Sequence, residues 1–144
     1  MFGDVVYVKI NYGMSNTKLA ESKIRILIVE DEPMLLEMYG IAFRNSSFEI
    51  LTAVNGHEGW QKIQTAPNMV LLDIKMDDMS GIEILKRIQN DSNLKLKIIV
   101  WVLSNVGEET VSQEAIKLGA EEYIMKTKIT PSELVAKVKE RLKN

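Results

Sequence analysis

Leu27-Ile28-Val29-Glu30-Asp31-Glu32-Pro33 is the stretch on which the fold turns: an apolar run that stops at three acids and a proline. It closes the run Lys23–Val29, and four more runs follow at Glu49–Val54, Met69–Leu72, Lys97–Leu103 and Glu121–Met125. A short, nearly continuous apolar run is what a strand covered on both faces requires. Between the runs the spacing turns helical. Pro33 suits a first helical turn, and Leu35, Met38, Ile41 and Ala42 recur along one predicted face. Asn55 with Glu58, and Ser80 with Glu83, have capping-box spacing; the helices they open carry Trp60 and Ile63, then Ile82, Leu85 and Ile88. Glu108–Leu118 predicts a helix with Val111, Ala115 and Leu118 inward, closed by Gly119. Thr130, Pro131 and Glu133 combine cap, first-turn proline and capping acid before a last helix that buries Leu134, Val135, Val138 and Leu142. Strand–helix units in such alternation predict an α/β sandwich around a parallel sheet, because right-handed crossovers place helices on both faces.

The chain has 144 residues, enough for a single core. Hydrophobic residues at 46% and charged ones at 26% are ordinary globular values. A formal charge of −2 and a pI near 5.5 supply no basic field to hold nucleic acid. The absence of cysteine excludes disulfides, thiolate metal sites and thiol catalysis, and fits a reducing cytoplasm. No apolar stretch approaches the ~20 residues that cross a bilayer, and Asp4, Lys9 and Asn11 break the apolar start, against a secretory signal. Residues 1–22 read as an N-terminal extension to the domain of residues 23–144. Val6, Val8, Ile10 and Tyr12 alternate as a strand would, and Gly13 to Ser22 is polar and linker-like. The extension reads as an irregular or loosely attached segment outside the site; the competing reading is an added edge strand or a dimer contact.

The carboxyl ends of parallel strands share one edge of the sheet, where open α/β folds bind ligands. Four of the five runs end there in chemistry: Glu30 and Asp31, then Asp73, Ser104 and Lys126. An acid just past a strand is often a plain helix cap. That accounts for one or two of them, but not for Asp73 arriving at the same edge from a different strand. Carboxylates ~4 Å apart repel by roughly 4 kcal/mol at an effective dielectric of 20, so the cluster needs a cation or shifted pKa values. Oxygen ligands with room left for water and phosphate suit Mg²⁺ better than a soft metal. Taken singly, Lys126 reads as a strand-end lysine, Ser104 as a turn residue, and Tyr123, Trp60 and Trp101 as packing residues. His57, the only histidine, reads as exposed near a helix start.

Leu27–Pro33, Leu72-Asp73-Ile74-Lys75-Met76 with Ser80-Gly81, Leu103-Ser104-Asn105, and Tyr123-Ile124-Met125-Lys126 stand in the order of the receiver domain of two-component response regulators. The chain resembles that family over residues 23–143. The resemblance implies a flavodoxin-like, doubly wound five-stranded parallel sheet of order 2-1-3-4-5 with helices on both faces. It implies that Asp73 accepts a phosphoryl group from a sensor histidine kinase or histidine phosphotransfer protein. It implies that Asp31, Glu30, Asp73 and the backbone carbonyl of Lys75 hold Mg²⁺, with Mn²⁺ as a substitute. Lys126 would then contact the phosphoryl oxygens, with Ser104 the switch hydroxyl and Tyr123 the switch aromatic. The reading is of a stand-alone receiver in the cytoplasm, a phosphoacceptor rather than a turnover enzyme. It would signal to a downstream protein target without contacting nucleic acid or membrane. Phosphorylation-dependent homodimerisation, through the last helix or the N-terminal extension, is compatible with it.

The pattern departs from the family's common form at four positions. Asp77 stands where proline is usual and, with Asp78, adds negative charge beside the site. Thr127 replaces a proline that follows the lysine through a cis bond; a cis bond before threonine would cost ~3–4 kcal/mol, so a trans bond and a shifted loop are expected. Ser104 replaces the commoner threonine, and Lys75 sets a cation beside the acceptor. Asp77 and Thr127 motivate the main alternative, a degenerate receiver that binds proteins without being phosphorylated. An Asp-nucleophile phosphatase fits poorly, because a second Asp would be expected two residues after the nucleophile on the first strand, and Asp31 is followed by Glu32 and Pro33.

Overall fold

A computed structural model describes residues 10–11, 17–18 and 23–143. Five strands alternate with helices: β1 (Arg25–Val29), α1 (Pro33–Phe43), β2 (Glu49–Ala53), α2 (Gly56–Ile63), β3 (Met69–Asp73), α3 (Gly81–Gln89), β4 (Ile99–Ser104), α4 (Glu109–Lys117), β5 (Glu122–Met125) and α5 (Pro131–Leu142). They form a five-stranded parallel sheet in the order β2-β1-β3-β4-β5, as expected. Register fixes the site. Val29 pairs with Leu72, so Glu30 emerges beside Asp73; Asp73 pairs with Leu103, and Ser104 with Met125, so Ser104 and Lys126 follow one step on.

Side chains alternate across the strands, and both faces are covered. Leu27, Val29, Val70, Leu72, Val100 and Val102 pack with Ile63, Ile84, Leu85, Ile88 and Ala115 of α2, α3 and α4. Ile26, Ile28, Met69, Leu71, Trp101 and Leu103 pack with Tyr39 and Phe43 of α1 and with Leu134, Val135, Val138 and Leu142 of α5. Every residue of β3 is buried. Each fully buried Leu contributes about 1.5–3 kcal/mol. The tryptophans take opposite layers. Trp101 is buried on the α1/α5 side, where its indole N–H donates to Glu121 at 2.8 Å and Glu121 also accepts both Arg141 donors. Trp60 packs on the α2/α3/α4 side beneath the Arg87 guanidinium, 5.5 Å from the ring centroid.

Two expectations are corrected, the inner face of α1 and the capping boxes, and one element is added. Of the face expected on α1, Leu35 and Ala42 pack against the core, but Met38 and Ile41 are 48% and 51% exposed and the buried residues are Tyr39 and Phe43. The helix is apolar nearly all round, so spacing alone does not select its inner face. A single helical turn at Leu94–Lys97, absent from the sequence reading, is started by Asp91, whose carboxylate accepts the N–H groups of Asn93 and Leu94. Only Thr130 and Glu133 form a reciprocal capping box. At Asn55 and Ser80 only the cap's own side chain bonds, because Glu58 and Glu83 pair instead with Lys62 and Arg87 one turn on. Ile10–Asn11 pairs with Thr17–Lys18 in a separate antiparallel ladder; what else was expected of residues 1–22 lies outside the described residues.

Candidate functional site

Glu30, Asp31 and Asp73 come together as the register requires, each offering a carboxylate oxygen within 4.8 Å of the others. Glu30 and Asp73 are buried. The Lys126 ammonium, on a side chain only 8% exposed, donates to Glu30 Oε1 at 2.6 Å and lies 3.1 Å from Asp73 Oδ1. Glu30 Oε2 accepts the N–H of Glu32 at 3.1 Å, so both its oxygens are engaged. A cavity of about 140 Å³ opens over this group, lined by the acids together with Lys75, Ser104, Asn105, Val106 and Lys126.

The charges are unevenly compensated. Burial and the Glu30 carboxylate push the Asp73 acid up to about 6 against the pull of Lys126. Burial would lower the Lys126 pKa, but the hydrogen bond to Glu30 and the charge of Asp73 outweigh it and leave the ammonium raised. The net negative charge fits a divalent cation, and an all-oxygen donor set is what Mg²⁺ takes. Asp31 and Asp73 would hold it directly; Glu30, already bonded through both oxygens, would act through water.

Ser104 is buried at the end of β4, and its Oγ accepts the Val106 N–H at 2.9 Å. The Tyr123 hydroxyl donates to the Val106 carbonyl at 2.5 Å. The two residues expected to switch together therefore grip one peptide segment from both sides, a link no local pattern in the chain announces. The described residues contain no cis peptide bond, and a short 3₁₀ turn, Lys126–Lys128, leads from β5 towards α5. With Thr127 so placed, Lys126 still reaches both carboxylates.

The expectation that Asp78 adds charge beside the site is corrected. Its carboxylate accepts the N–H groups of Gly56 at 2.9 Å and His57 at 2.8 Å, at the start of α2, and does not line the cavity. The backbone donors of His57 and Gly56 hold its pKa at about 2. His57 is exposed, as expected, with Nδ1 3.1 Å from Asp78 Oδ2. Gly81 carries a constraint that its place in a motif only hinted at. A Cβ there would lie 2.2 Å from the Asp73 carbonyl oxygen, so only glycine lets α3 begin against the strand that ends in Asp73.

Comparison with known proteins agrees with this geometry. The family model described as "Response regulator receiver domain" matches residues 26–139. The phosphate regulon transcriptional regulatory protein PhoB of Pseudomonas aeruginosa is 36% identical over 115 residues, covering 79% of this chain and 49% of PhoB. The DNA-binding response regulator MtrA of Mycolicibacterium smegmatis is 32% identical over 121 residues, covering 83% of this chain and 50% of MtrA. The crystal structure of a CheY-like response regulator receiver domain protein from Methanospirillum hungatei superposes with a TM-score of 0.75 at 31% identity, covering 84% of this chain and 94% of that one. The chain belongs to the response regulator receiver family of two-component systems. It spans about half the length of the curated relatives it matches. No helix among the described residues is long and apolar enough to cross a membrane.

Proposed function

We propose that this receiver accepts a phosphoryl group on Asp73 from a phosphohistidine of a sensor kinase or phosphotransfer protein. The observation that carries the reading is the Lys126 ammonium lodged between Glu30 and Asp73 in a cavity also lined by Ser104. An Asp73 oxygen attacks phosphorus, the phosphorus–nitrogen bond of the donor breaks, and an acyl phosphate forms. Lys126 faces the charge gathered on the transferring group, and catalysis is positioning and electrostatics. When bound, Mg²⁺ neutralises further charge at the acids, with Asp31, Asp73, Glu30 and the Lys75 carbonyl as its protein shell. Ser104 then turns its hydroxyl from the Val106 N–H to a phosphoryl oxygen. Val106 loosens with it, and Tyr123, bonded to the same segment, passes the change to the surface around β4, α4 and β5.

In this reading residues 23–144 form the receiver, residues 1–22 stand apart from the site, and the chain works in the cytoplasm. The signal passes to a protein target; the DNA-binding role is that of relatives such as MtrA, half of whose length the match covers. It is modified in its own reaction and is not a turnover enzyme. Incubation with Mg²⁺ and a small acyl phosphate, followed by intact mass, tests the acceptor role. A single phosphoryl adduct lost in Asp73→Asn is expected; an adduct that survives the substitution overturns Asp73 as the acceptor, and no adduct at all supports the unphosphorylated binding module instead.

A further inference from the structure

The loop from Ile74 to Ser80, which follows the acceptor, is fastened at both ends. At the near end the Gly81 N–H donates to the Ile74 carbonyl at 2.8 Å, with the Asp73 carbonyl pressed against Gly81. At the far end Asp78 accepts from Gly56 and His57, and Gly56 has no Cβ where one would stand 2.5 Å from the Met79 carbonyl oxygen. Helix α2 already has its own cap, since Asn55 accepts the Glu58 N–H at 2.8 Å. Asp78 takes two first-turn donors that a lone N-cap leaves open, and it does so from a separate loop. Between the fastenings lie Lys75, Met76 and Asp77. Met76 is buried, and Asp77, standing where the family commonly has proline, has no ring to fix the backbone.

We propose that Asp78 is a positioning residue for the cation site: by tying the loop tip to α2, it holds the Lys75 main-chain carbonyl at the sheet edge where the divalent ion binds. The proposal rests on the functional reading above. It differs from a capping role in what it predicts. A cap stabilises α2 and leaves the ion alone, whereas a clamp pre-organises one of the ion's ligands, and outer-shell supports of that kind govern affinity.

Mn²⁺ titrations of the full chain followed by electron paramagnetic resonance separate the two without any phosphorylation. Asp78→Ala is expected to weaken Mn²⁺ binding about tenfold. Asp78→Asn, which keeps one acceptor oxygen, is expected to fall between it and the unsubstituted chain. Asn55→Ala, which removes the cap of the same helix without touching the loop, is expected to leave Mn²⁺ affinity unchanged. Unchanged affinity in Asp78→Ala, or an equal loss in Asn55→Ala, overturns the proposal. Should Asp78→Ala fail to fold, Asp78→Asn decides: reduced affinity supports the clamp and full affinity overturns it. An unsubstituted chain that binds Mn²⁺ but takes no phosphoryl group refutes the acceptor reading and leaves the clamp's test intact. One that binds no Mn²⁺ refutes the cation site and the clamp with it.

Discussion

Asp73 and Lys126 touch, yet their removal should move stability in opposite directions. Burial and Glu30 raise the Asp73 pKa to about 6 from an ordinary 3.8. The native state therefore binds more protons than the unfolded chain between those values. Stability falls as pH rises through that window and stays lower above it. Without divalent ions, Asp73→Asn should gain about 2–3 kcal/mol near pH 8 and little near pH 4, a difference that urea denaturation at the two pH values reads directly. Lys126→Met does the reverse. It leaves Glu30 and Asp73 buried without their cation and should cost about 3–5 kcal/mol at neutral pH, shrinking on acidification as the acids protonate. A Lys126→Met chain as stable as the original at pH 7 would show that the ion pair does not hold the site. The identities of these residues were readable because each ends an apolar run and parallel register aligns the ends. Their partnerships were not: Glu30 and Lys126 are 96 positions apart, and their pairing is a fact of tertiary packing.

Among the elements, α3 shows how a helix start can serve a strand end. Gly81→Ala must push the first turn of α3 away from the Asp73 carbonyl, and about 3 kcal/mol of destabilisation is expected, with loss of acyl-phosphate labelling in the fraction that folds. Thr130→Ala removes an exposed capping box far from any such contact; about 1 kcal/mol and unchanged labelling are expected. Thermal melts paired with intact mass distinguish the two, and a Gly81→Ala chain that melts and labels normally would mean that the contact relaxes freely. Strand positions and helix caps were legible because alternation, prolines and Asn/Ser/Thr–Glu spacing report local chemistry. The inner face of α1 was legible only in part, at Leu35 and Ala42, since a helix rich in Met and Leu on every side offers no polar stripe to orient it. The turn at Leu94–Lys97 escaped for a related reason: one turn is too short to show a period.

Across the whole molecule, strand order followed from alternation and the resemblance, but the coupling between site and surface is a tertiary feature. Ser104 and Tyr123 lie on neighbouring strands and both bond Val106, one at its N–H and the other at its carbonyl. If Ser104 turns to a phosphoryl oxygen, the Val106 amide loses its acceptor, and its hydrogen exchange should quicken on phosphorylation and not in Ser104→Ala. Exchange at Val106 that is indifferent to phosphorylation would break the link between site and surface. The placement of the two tryptophans on opposite faces of the sheet has a consequence of another kind. Trp101 sits with α1 and α5, Trp60 with α2, α3 and α4, and the chain has no third. Trp60→Phe and Trp101→Phe therefore yield two single-tryptophan proteins, each lit from one side of the sheet when the indole alone is excited. Stopped-flow emission from the pair reports which layer assembles first during refolding, with no extrinsic dye or added label.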